Sequence, residues 1–508
     1  MVYLLGIDVG TSSTKSILID ERGQVIGSAD HSHPTSSPTP GFQEQDPQHW
    51  WQGVRLTIRR ILEETEIRPN QIAGLSLSGQ GCACLPVDRM GQPLGPAIIW
   101  TDTRSVPQQS RLRQIFGTEL GRLTGNDIYD QPEPRMLWIR DHQPDVYRNT
   151  YKFLTTVSYL LLRFTGKLAG NLSDWGFHLA FDRSTRSWNT TFCRAAGLDE
   201  SKLPDIYASY ELVGSVTEAA AAETGLLTGT PVVAGGQDST VVALAVGALE
   251  AGQSVVMRGT TDLLCLCTTD GGYHPGLYTT FAVLPNLYIR YDMKEVVAAG
   301  GSYHWLAGVL FTETGKARFR AMDDLAAAAP AGSNGLLYLP YLLISTQPDL
   351  TQQRAGSFFG LTTTTSRADL CRAVMEGTAC ALRETIARLA ANDIRVSELR
   401  LTGGPAESDL WNQITADVTG LPVLVPAVGS GAAAYGAALL AGLGVGVIPM
   451  DDRYETLRRL VVLRRSFRPR AQFGPIYDHV YAAFCQLASG TAGIAAQLKA
   501  DILQAAER

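Results

Sequence analysis

Two stretches of this chain, 249 positions apart, share one design, and any fold it adopts must accommodate both. Tyr3 to Asp20 (YLLGIDVGTSSTKSILID) is a pair of apolar runs joined by a turn, with Leu4, Leu5 and Ile7 entering and Ile17, Leu18 and Ile19 leaving. This pattern predicts a β-hairpin, because Gly10 permits a tight backbone that a side chain would obstruct. Ser254 to Thr268 (SVVMRGTTDLLCLCT) repeats it, with Gly259-Thr260-Thr261 in place of Gly10-Thr11-Ser12. A recurrence at about half the length predicts two related domains.

The turns also carry chemistry. Consecutive turn amides and the hydroxyls of Thr11, Ser12, Ser13 and Thr14 can surround phosphate oxygens, and Asp8, the acid beside them, can hold a Mg²⁺ ion directly or through water. Two such turns on two domains can clamp one polyphosphate. The same residues also suit two ordinary hairpins.

At 508 residues the chain exceeds what one core usually supports, about 300 residues, so two domains are expected, divided as 1–247 and 248–508. A net charge of −6 argues against nucleic acid or an anionic membrane as the main partner. Seven arginines between Arg453 and Arg470 are the local exception, read as a solvated helix face or ion-paired surface. The eight cysteines form no CxxC, and the pairs Cys82/Cys84 and Cys265/Cys267 are expected on one face of a strand as small apolar fillers. The histidines show no zinc spacing. No basic leader precedes Asp8, and the uncharged stretch Val418 to Met450 is broken by Pro422, Pro426 and many glycines. Neither a secretory signal nor a membrane span is expected, and a cytoplasmic location follows, with a homodimer left open.

Along the first half, a strand is expected at Gln24 to Ala29, a helix over Gln48 to Glu66 on the spacing of Trp51, Val54, Ile58, Ile61 and Leu62, and a strand at Ile72 to Leu77. Strand, helix, strand is the α/β signature. The last strand ends at Ser78-Gly79-Gln80, where α/β sheets gather ligands, so Gln80 can bond either a polyol or its own loop. Ile98 to Arg104 leaves a strand on Trp100, Asp102 and Arg104, the last two able to pair with each other. Pro134 to His142 and Val157 to Phe164 read as packing helices, and Leu168 to Thr191, rich in Ser, Asp, Asn and Trp, as a surface excursion near a polar site. In TPVVAGGQDSTVVALAVGAL, Val232 and Val233 form a buried strand, and Asp238 follows two glycines where a helix begins. Asp there is a common N-cap, and it is equally placed to take a proton from a hydroxyl.

In the second half, an apolar run at Leu336 to Leu343 leads to a polar loop, Ser345 to Gln353. Ser366 and Asp369 make a capping box for a helix from Arg367 to Ala391 with Leu370, Val374, Cys380, Ala381 and Leu389 as its buried stripe. Leu399 to Thr402, Gly403-Gly404-Pro405 and Ser408 to Val418 make a β-turn-α unit whose bare backbone a nucleotide can approach. Neither a P-loop nor a GxGxxG fingerprint is present.

Taken in order, these motifs resemble the FGGY family of carbohydrate kinases, within the actin and hexokinase superfamily, over nearly the whole chain. Asp8-x-Gly10-Thr11 is similar to the first phosphate loop, Gly235-Gly236-Gln237-Asp238 to the catalytic loop and Gly259-Thr260-Thr261 to the second phosphate loop. Gly356-x-Phe358-x-Gly360-Leu361, followed after seven residues by Asp369-Leu370-x-x-Ala373-Val374-Met375-Glu376, is similar to the C-terminal signature. Gly403-Gly404 with Ser408, Trp411 and Asn412 resembles the adenosine loop. The resemblance implies an α/β fold of two actin-like (ribonuclease H-like) domains flanking a central cleft. It also implies ATP, Mg²⁺ and phosphorylation of a terminal hydroxyl of a small sugar. It assigns Asp238 as general base, Asp8 to the metal and Gly10, Thr11, Ser12, Gly259, Thr260 and Thr261 to phosphates. Gly403, Gly404, Ser408 and Asn412 go to the nucleoside, and Gln80, Gly81, Cys82, Asp102, Asp238 and Ser239 to the sugar.

Within the family the xylulokinases are most alike, sharing Gly79-Gln80 and Trp100-x-Asp102-x-Arg104, so D-xylulose is the expected substrate. Those enzymes usually have Met-His after that Gln and Asn after the catalytic Asp, where this chain has Gly81-Cys82 and Ser239. Pro405 and Arg354-Ala355-Gly356 are further departures. Small residues at 81 and 82 are expected to admit a different or longer polyol. The alternatives are a kinase for ribulose, another ketose, a polyol or gluconate, or a catalytically weak sugar-binding regulator.

Overall fold

A computed structural model describes residues 2–292, 297–312, 315, 317–342 and 353–506. The chain forms two compact units, both discontinuous in sequence. The first comprises Met1–Ala251, Cys267–Tyr291 and Gly431–Val462, and the second Gly252–Leu266, Asp292–Ser430 and Leu463–Arg508.

In the first unit the expected hairpin forms from β1 (Tyr3–Val9) and β2 (Ser13–Asp20), and β3 (Val25–Ser32) extends it. Helix α1 (Pro47–Thr65) then crosses to β4 (Ile72–Gly79), which pairs in parallel with β1. Helix α2 (Thr156–Thr165), β5 (Leu212–Ser215), β6 (Pro231–Gln237) and α3 (Asp238–Ala245) follow, giving a sheet ordered β5-β6-β4-β1-β2-β3. The α1 start is set by its sequence: Asp46 accepts the Gln48 amide at 2.9 Å, and Pro47 occupies a position whose missing N–H is no loss.

Leu4, Leu5, Ile7 and Val9 of β1 are all buried, as expected of a strand covered on both faces. Trp50, Trp51, Val54, Ile58 and Ile61 of α1 join the core that contains Leu5, Ile7 and Val9. The helix Ala432–Gly444 lies so close to β1 that a Cβ on Gly6 would stand 1.9 Å from the Ala434 carbonyl oxygen and 2.3 Å from the Ala438 nitrogen. Both neighbours are backbone, so the contact relaxes only by moving the helix. Gly6→Ala is therefore expected to destabilise the first unit by about 1–3 kcal/mol, read as a lowered melting temperature. An unchanged melt would contradict this packing.

Two expectations are corrected here. Leu168 to Thr191 is a surface excursion only in its second part, where Ser184 to Ser187 are exposed: Asn171, Ser173, Asp174, Trp175, His178 and Phe181 are buried, and Asn126 and Ser158 bind the segment's backbone and Trp175. Asn171 and Ser173 are internal hydrogen-bonding partners. Cys82 does not share a strand with Cys84, since it sits in a turn at φ +60°.

The second unit opens on the other hairpin, β7 (Gln253–Arg258) with β8 (Asp262–Thr268). Helix α4 (Arg367–Ala390), β9 (Glu398–Thr402), α5 (Asp409–Thr419), β10 (Val423–Pro426) and β11 (Leu463–Phe467) complete the run β8-β7-β9-β10-β11. Around each hairpin the pairings follow one scheme: antiparallel, two parallel neighbours, then an antiparallel edge. That equivalence is the structural form of the sequence repeat. The loop expected at 345–353 lies outside the described residues except for its last member.

The capping box of α4 is present, with Ser366 Oγ accepting the Asp369 amide at 3.3 Å and Asp369 Oδ2 accepting the Ser366 amide at 2.8 Å. Burial runs around nearly every face from Cys371 to Leu382, wider than the expected stripe. At its centre Glu376 accepts from the Gly332 amide (3.0 Å), Ser333 Oγ (2.7 Å), Arg372 Nε (2.8 Å) and Tyr477 OH (3.0 Å). The end of the signature stretch is thus a buried joint. Its Gly360 holds φ +92°, where a Cβ would lie 2.7 Å from the Gly335 carbonyl oxygen.

The arginine-rich stretch is an ion-paired surface divided between a helix, Arg453–Leu460, and β11. Arg458 pairs with Glu250, Arg464 and Arg465 with Glu407, and Arg470 with the buried Asp417. No helix among the described residues is long and apolar enough to cross a membrane.

Candidate active site

Three glycine turns stand out, two of them with backbone amides that find no acceptor among the described residues. In the first, Gly10 N–H closes on the Ser13 carbonyl at 3.0 Å, the Trp100 indole donates to Thr11 Oγ1 at 3.0 Å, and Gln45 Nε2 donates to the Thr11 carbonyl at 2.6 Å. The Thr11 and Ser12 amides find no acceptor among the described residues. In the second, Gly259 N–H closes on the Thr261 carbonyl at 2.9 Å, and the Gly300 and Gly301 amides hold the carbonyls of Gly259 and Thr260 at 3.0 and 2.9 Å. The Thr260 and Thr261 amides likewise find no acceptor among the described residues.

In the third, Gly403 (φ +102°) passes so near Arg258 that a Cβ would stand 2.1 Å from its carbonyl oxygen, while Gly404 faces open space. Ser408 Oγ caps α5 by accepting the Trp411 amide at 3.2 Å, and buried Asn412 donates to the Ala406 carbonyl at 2.8 Å. Trp411 itself is core, its indole donating to Thr378. Successive exposed amides in a turn form an anion-binding concavity, so these residues fit the polyphosphate of a nucleotide.

Asp238 is the first residue of α3 and not its cap, which is Gln237. Its carboxylate accepts the Ser239 amide at 2.6 Å, and the Thr240 hydroxyl donates to the Gln237 carbonyl at 2.7 Å. Burial pushes the Asp238 carboxyl up to about 7; the Asp8 carboxylate adds to the rise, the Ser239 amide opposes it, and Asp174 and Asp130 contribute less. Burial also raises Asp8, against the Ser78 hydroxyl, which donates to it at 2.8 Å, and the charge of Lys15. No cluster of three or more metal-ligating side chains occurs among the described residues. Mg²⁺ seldom needs one, because it takes one or two carboxylates with substrate phosphates and water, and the Asp8/Asp238 pair suits that donor set.

Were Asp238 to act as a base it would have to be ionised, and kcat/KM for the group it deprotonates would then be level above pH about 7 and fall about tenfold per unit below it. A profile flat from pH 5 to 8 would remove Asp238 from this step.

The remaining sequence-predicted residues divide. Gln80, 1% exposed, donates to Gln45 Oε1 at 2.7 Å, and its own Oε1 has no partner among the described residues. Cys82 turns its thiol toward Asp130 at 3.8 Å, and burial raises that thiol strongly. Ser239 exchanges a hydrogen bond with Tyr291 at 2.9 Å. Asp102 has structural work: its buried carboxylate takes the Gln43 amide at 2.6 Å and Arg104 Nε at 2.9 Å, which closes the loop instead of facing a ligand. Gly81 does not widen a pocket as expected. A Cβ there would lie 2.3 Å from Gln237 Nε2, so the Gln237 carboxamide already fills that space.

Sequence reasoning missed Asp130, Asp174 and Gln45. The signal for Asp174 was Asn171-x-x-Asp174, an N-cap pattern whose cap accepts the Asp174 amide at 2.9 Å. Burial drives the Asp174 carboxyl up to about 7, with the Thr155 hydroxyl opposing.

Comparison with known proteins decides the family. The N-terminal domain of the FGGY family of carbohydrate kinases matches residues 3–245, and its C-terminal domain matches residues 259–445. The chain belongs to the FGGY family of carbohydrate kinases. This FGGY kinase is 29% identical over 506 residues to the xylulose kinase of Bacillus subtilis, covering 98% of this chain and 99% of that one. It is 29% identical over 499 residues to the autoinducer-2 kinase of Klebsiella pneumoniae, covering 94% and 92%. The crystal structure of xylulose kinase from Rhodospirillum rubrum superposes with a TM-score of 0.87 at 29% identity, covering 96% and 99%. The FGGY kinase is therefore an ATP-dependent sugar kinase with the two-domain fold of the actin and hexokinase superfamily.

Proposed function

We propose that this kinase transfers the terminal phosphoryl group of ATP, as its Mg²⁺ complex, to a terminal hydroxyl of a small ketose or polyol, with D-xylulose the leading substrate. The observation that carries the reading is the placement of Asp238, recessed at the β6–α3 junction beside Asp8, with its carboxyl poised at about 7. Asp238 takes the hydroxyl proton as the alcohol oxygen bonds to the γ-phosphorus and the bond to the ADP oxygen breaks. Amides and hydroxyls of Gly10, Thr11, Ser12, Gly259, Thr260 and Thr261 hold the phosphates, and Gly403, Gly404, Ser408 and Asn412 the nucleoside. Gln80, Gly81, Cys82 and Ser239 line the sugar, and Asp8 holds the metal. When bound, Mg²⁺ neutralises charge on the transferring phosphoryl group. Sugar binding, catalysis and the first phosphate turn fall to residues 1–247 and the rest of nucleotide binding to 248–508.

A second reading, a neutral acceptor other than D-xylulose, is favoured by Gly81, Cys82 and Ser239, which depart from the xylulokinase pattern at the sugar, and by the autoinducer-2 kinase relative at equal identity. A coupled ADP-release assay over pentuloses, hexuloses, alditols and aldonates tests both. Preferred turnover of D-xylulose supports the first reading, preferred turnover of another neutral acceptor the second, and sugar-independent ADP release alone would overturn both.

A further inference from the structure

The space above Gly81 is the point at which this chain departs from the xylulokinase pattern, and it is filled from another segment. Gln237 reaches over Gly81 so closely that a Cβ there would stand 2.3 Å from Nε2, 2.8 Å from Cδ and 3.0 Å from Cγ. The Gln237 amide N–H donates to Ser173 Oγ at 3.1 Å, and Ser173 donates in turn to Asn171 Oδ1 at 2.9 Å, which fixes the backbone beneath the side chain. The residue is therefore held immediately before Asp238, with its carboxamide against the 80–82 turn.

Its Oε1 is shielded from water and accepts no hydrogen bond among the described residues, and Gln80 Oε1 on the neighbouring turn is in the same state. A buried acceptor left unpaired costs about 1–3 kcal/mol, so two on adjoining segments point to a ligand that brings donors. The hydroxyls of a polyol are such donors, and a carboxylate is not. A carboxylate entering beside Gln80 and Gln237 brings no donor to either acceptor.

We propose that Gln237 is a specificity-determining residue: its carboxamide replaces the missing side chain at position 81 and accepts a hydrogen bond from a substrate hydroxyl, restricting this kinase to neutral polyhydroxy acceptors and excluding aldonates. The inference rests on the sugar-kinase reading above and deepens it. It also inverts what small residues at 81 and 82 suggest, since the loop is small because a longer side chain has taken its volume.

The test is steady-state ADP release by the full chain with D-xylulose, D-ribulose, D-arabinitol and D-gluconate, for wild type, Gln237→Ala, Gly81→Met and the double variant Gly81→Met with Gln237→Gly, each checked for an unchanged melting temperature. Wild type is expected to turn over at least one neutral compound and to leave D-gluconate unphosphorylated. Gln237→Ala raises the KM of the neutral acceptor about tenfold, the loss of one buried hydrogen bond, with the KM for ATP held within about twofold. Gly81→Met lowers acceptor kcat/KM by about a hundredfold by overpacking, and removing Gln237 in the double variant recovers most of it. Wild type silent on every compound overturns the kinase reading itself. An active wild type with an unchanged acceptor KM in Gln237→Ala, no recovery in the double variant, or preferred use of D-gluconate overturns the Gln237 inference alone.

Discussion

Asp238→Ala lowers kcat by about a thousandfold, within the range a positioned general base supplies, while ATP still binds. The two effects separate because the turns that fit phosphates do not use this carboxylate: the amides at Thr11, Ser12, Thr260 and Thr261 are backbone groups. ADP release measures the first effect and calorimetry with a non-hydrolysable ATP analogue the second. Turnover close to wild type would place the base elsewhere. Asp238→Asn carries a second expectation. The folded-state pKa, about 7, lies above the ordinary carboxylate value, so Asp238 opposes folding where it is ionised. The penalty is absent below the unfolded pKa near 4 and grows as pH rises to about 7. The Asn variant should therefore gain stability at pH 8, by about 1–2 kcal/mol after allowance for solvent screening, and little at pH 4. A gain in stability with loss of turnover is the mark of a carboxylate kept for chemistry.

Glu376→Ala is expected to destabilise the second unit by about 3–5 kcal/mol, because it strips a buried guanidinium of its partner. Arg372 would keep Tyr477, at 2.9 Å, but lose the carboxylate 2.8 Å from its Nε, and the Gly332 amide and Ser333 hydroxyl would lose their acceptor. Urea denaturation measures the loss. Because Glu376 touches none of the three turns, residual folded protein should keep its KM for ATP, and a variant of wild-type stability would show the network to be dispensable.

Much of this was legible in the chain itself. The two hairpins, α1, α2, β4, β9 and the capping box of α4 all lie within a few residues of where apolar spacing, glycine and cap residues put them, since each is decided by groups close in sequence. The strand–Asp238–helix junction was legible for the same reason. Less legible were features made by residues far apart. Leu168 to Thr191 reads as polar and hence exposed, yet Asn171, Asp174 and Asn189 are buried, and residues far back in the chain bind the segment: Asn126 the Phe177 carbonyl, Ser158 the Trp175 indole and Thr155 the Asp174 carboxyl. Asp102 offers a carboxylate to any reader of the sequence, and only the Gln43 amide and Arg104 show that it is taken.

The sequence by itself determined that there are two hairpins of one design, that glycine stands at each phosphate-type turn, and that one acid opens a helix straight after a strand. These follow from periodicity and backbone sterics, which act over a few residues. Only the tertiary structure decided that the helix Ala432–Gly444 returns to pack on β1, that Gln237 fills the space above Gly81, and that burial, with Asp8 nearby, raises the Asp238 carboxyl. Volume and charge act through space, and the groups that set them here lie tens to hundreds of residues apart in the chain.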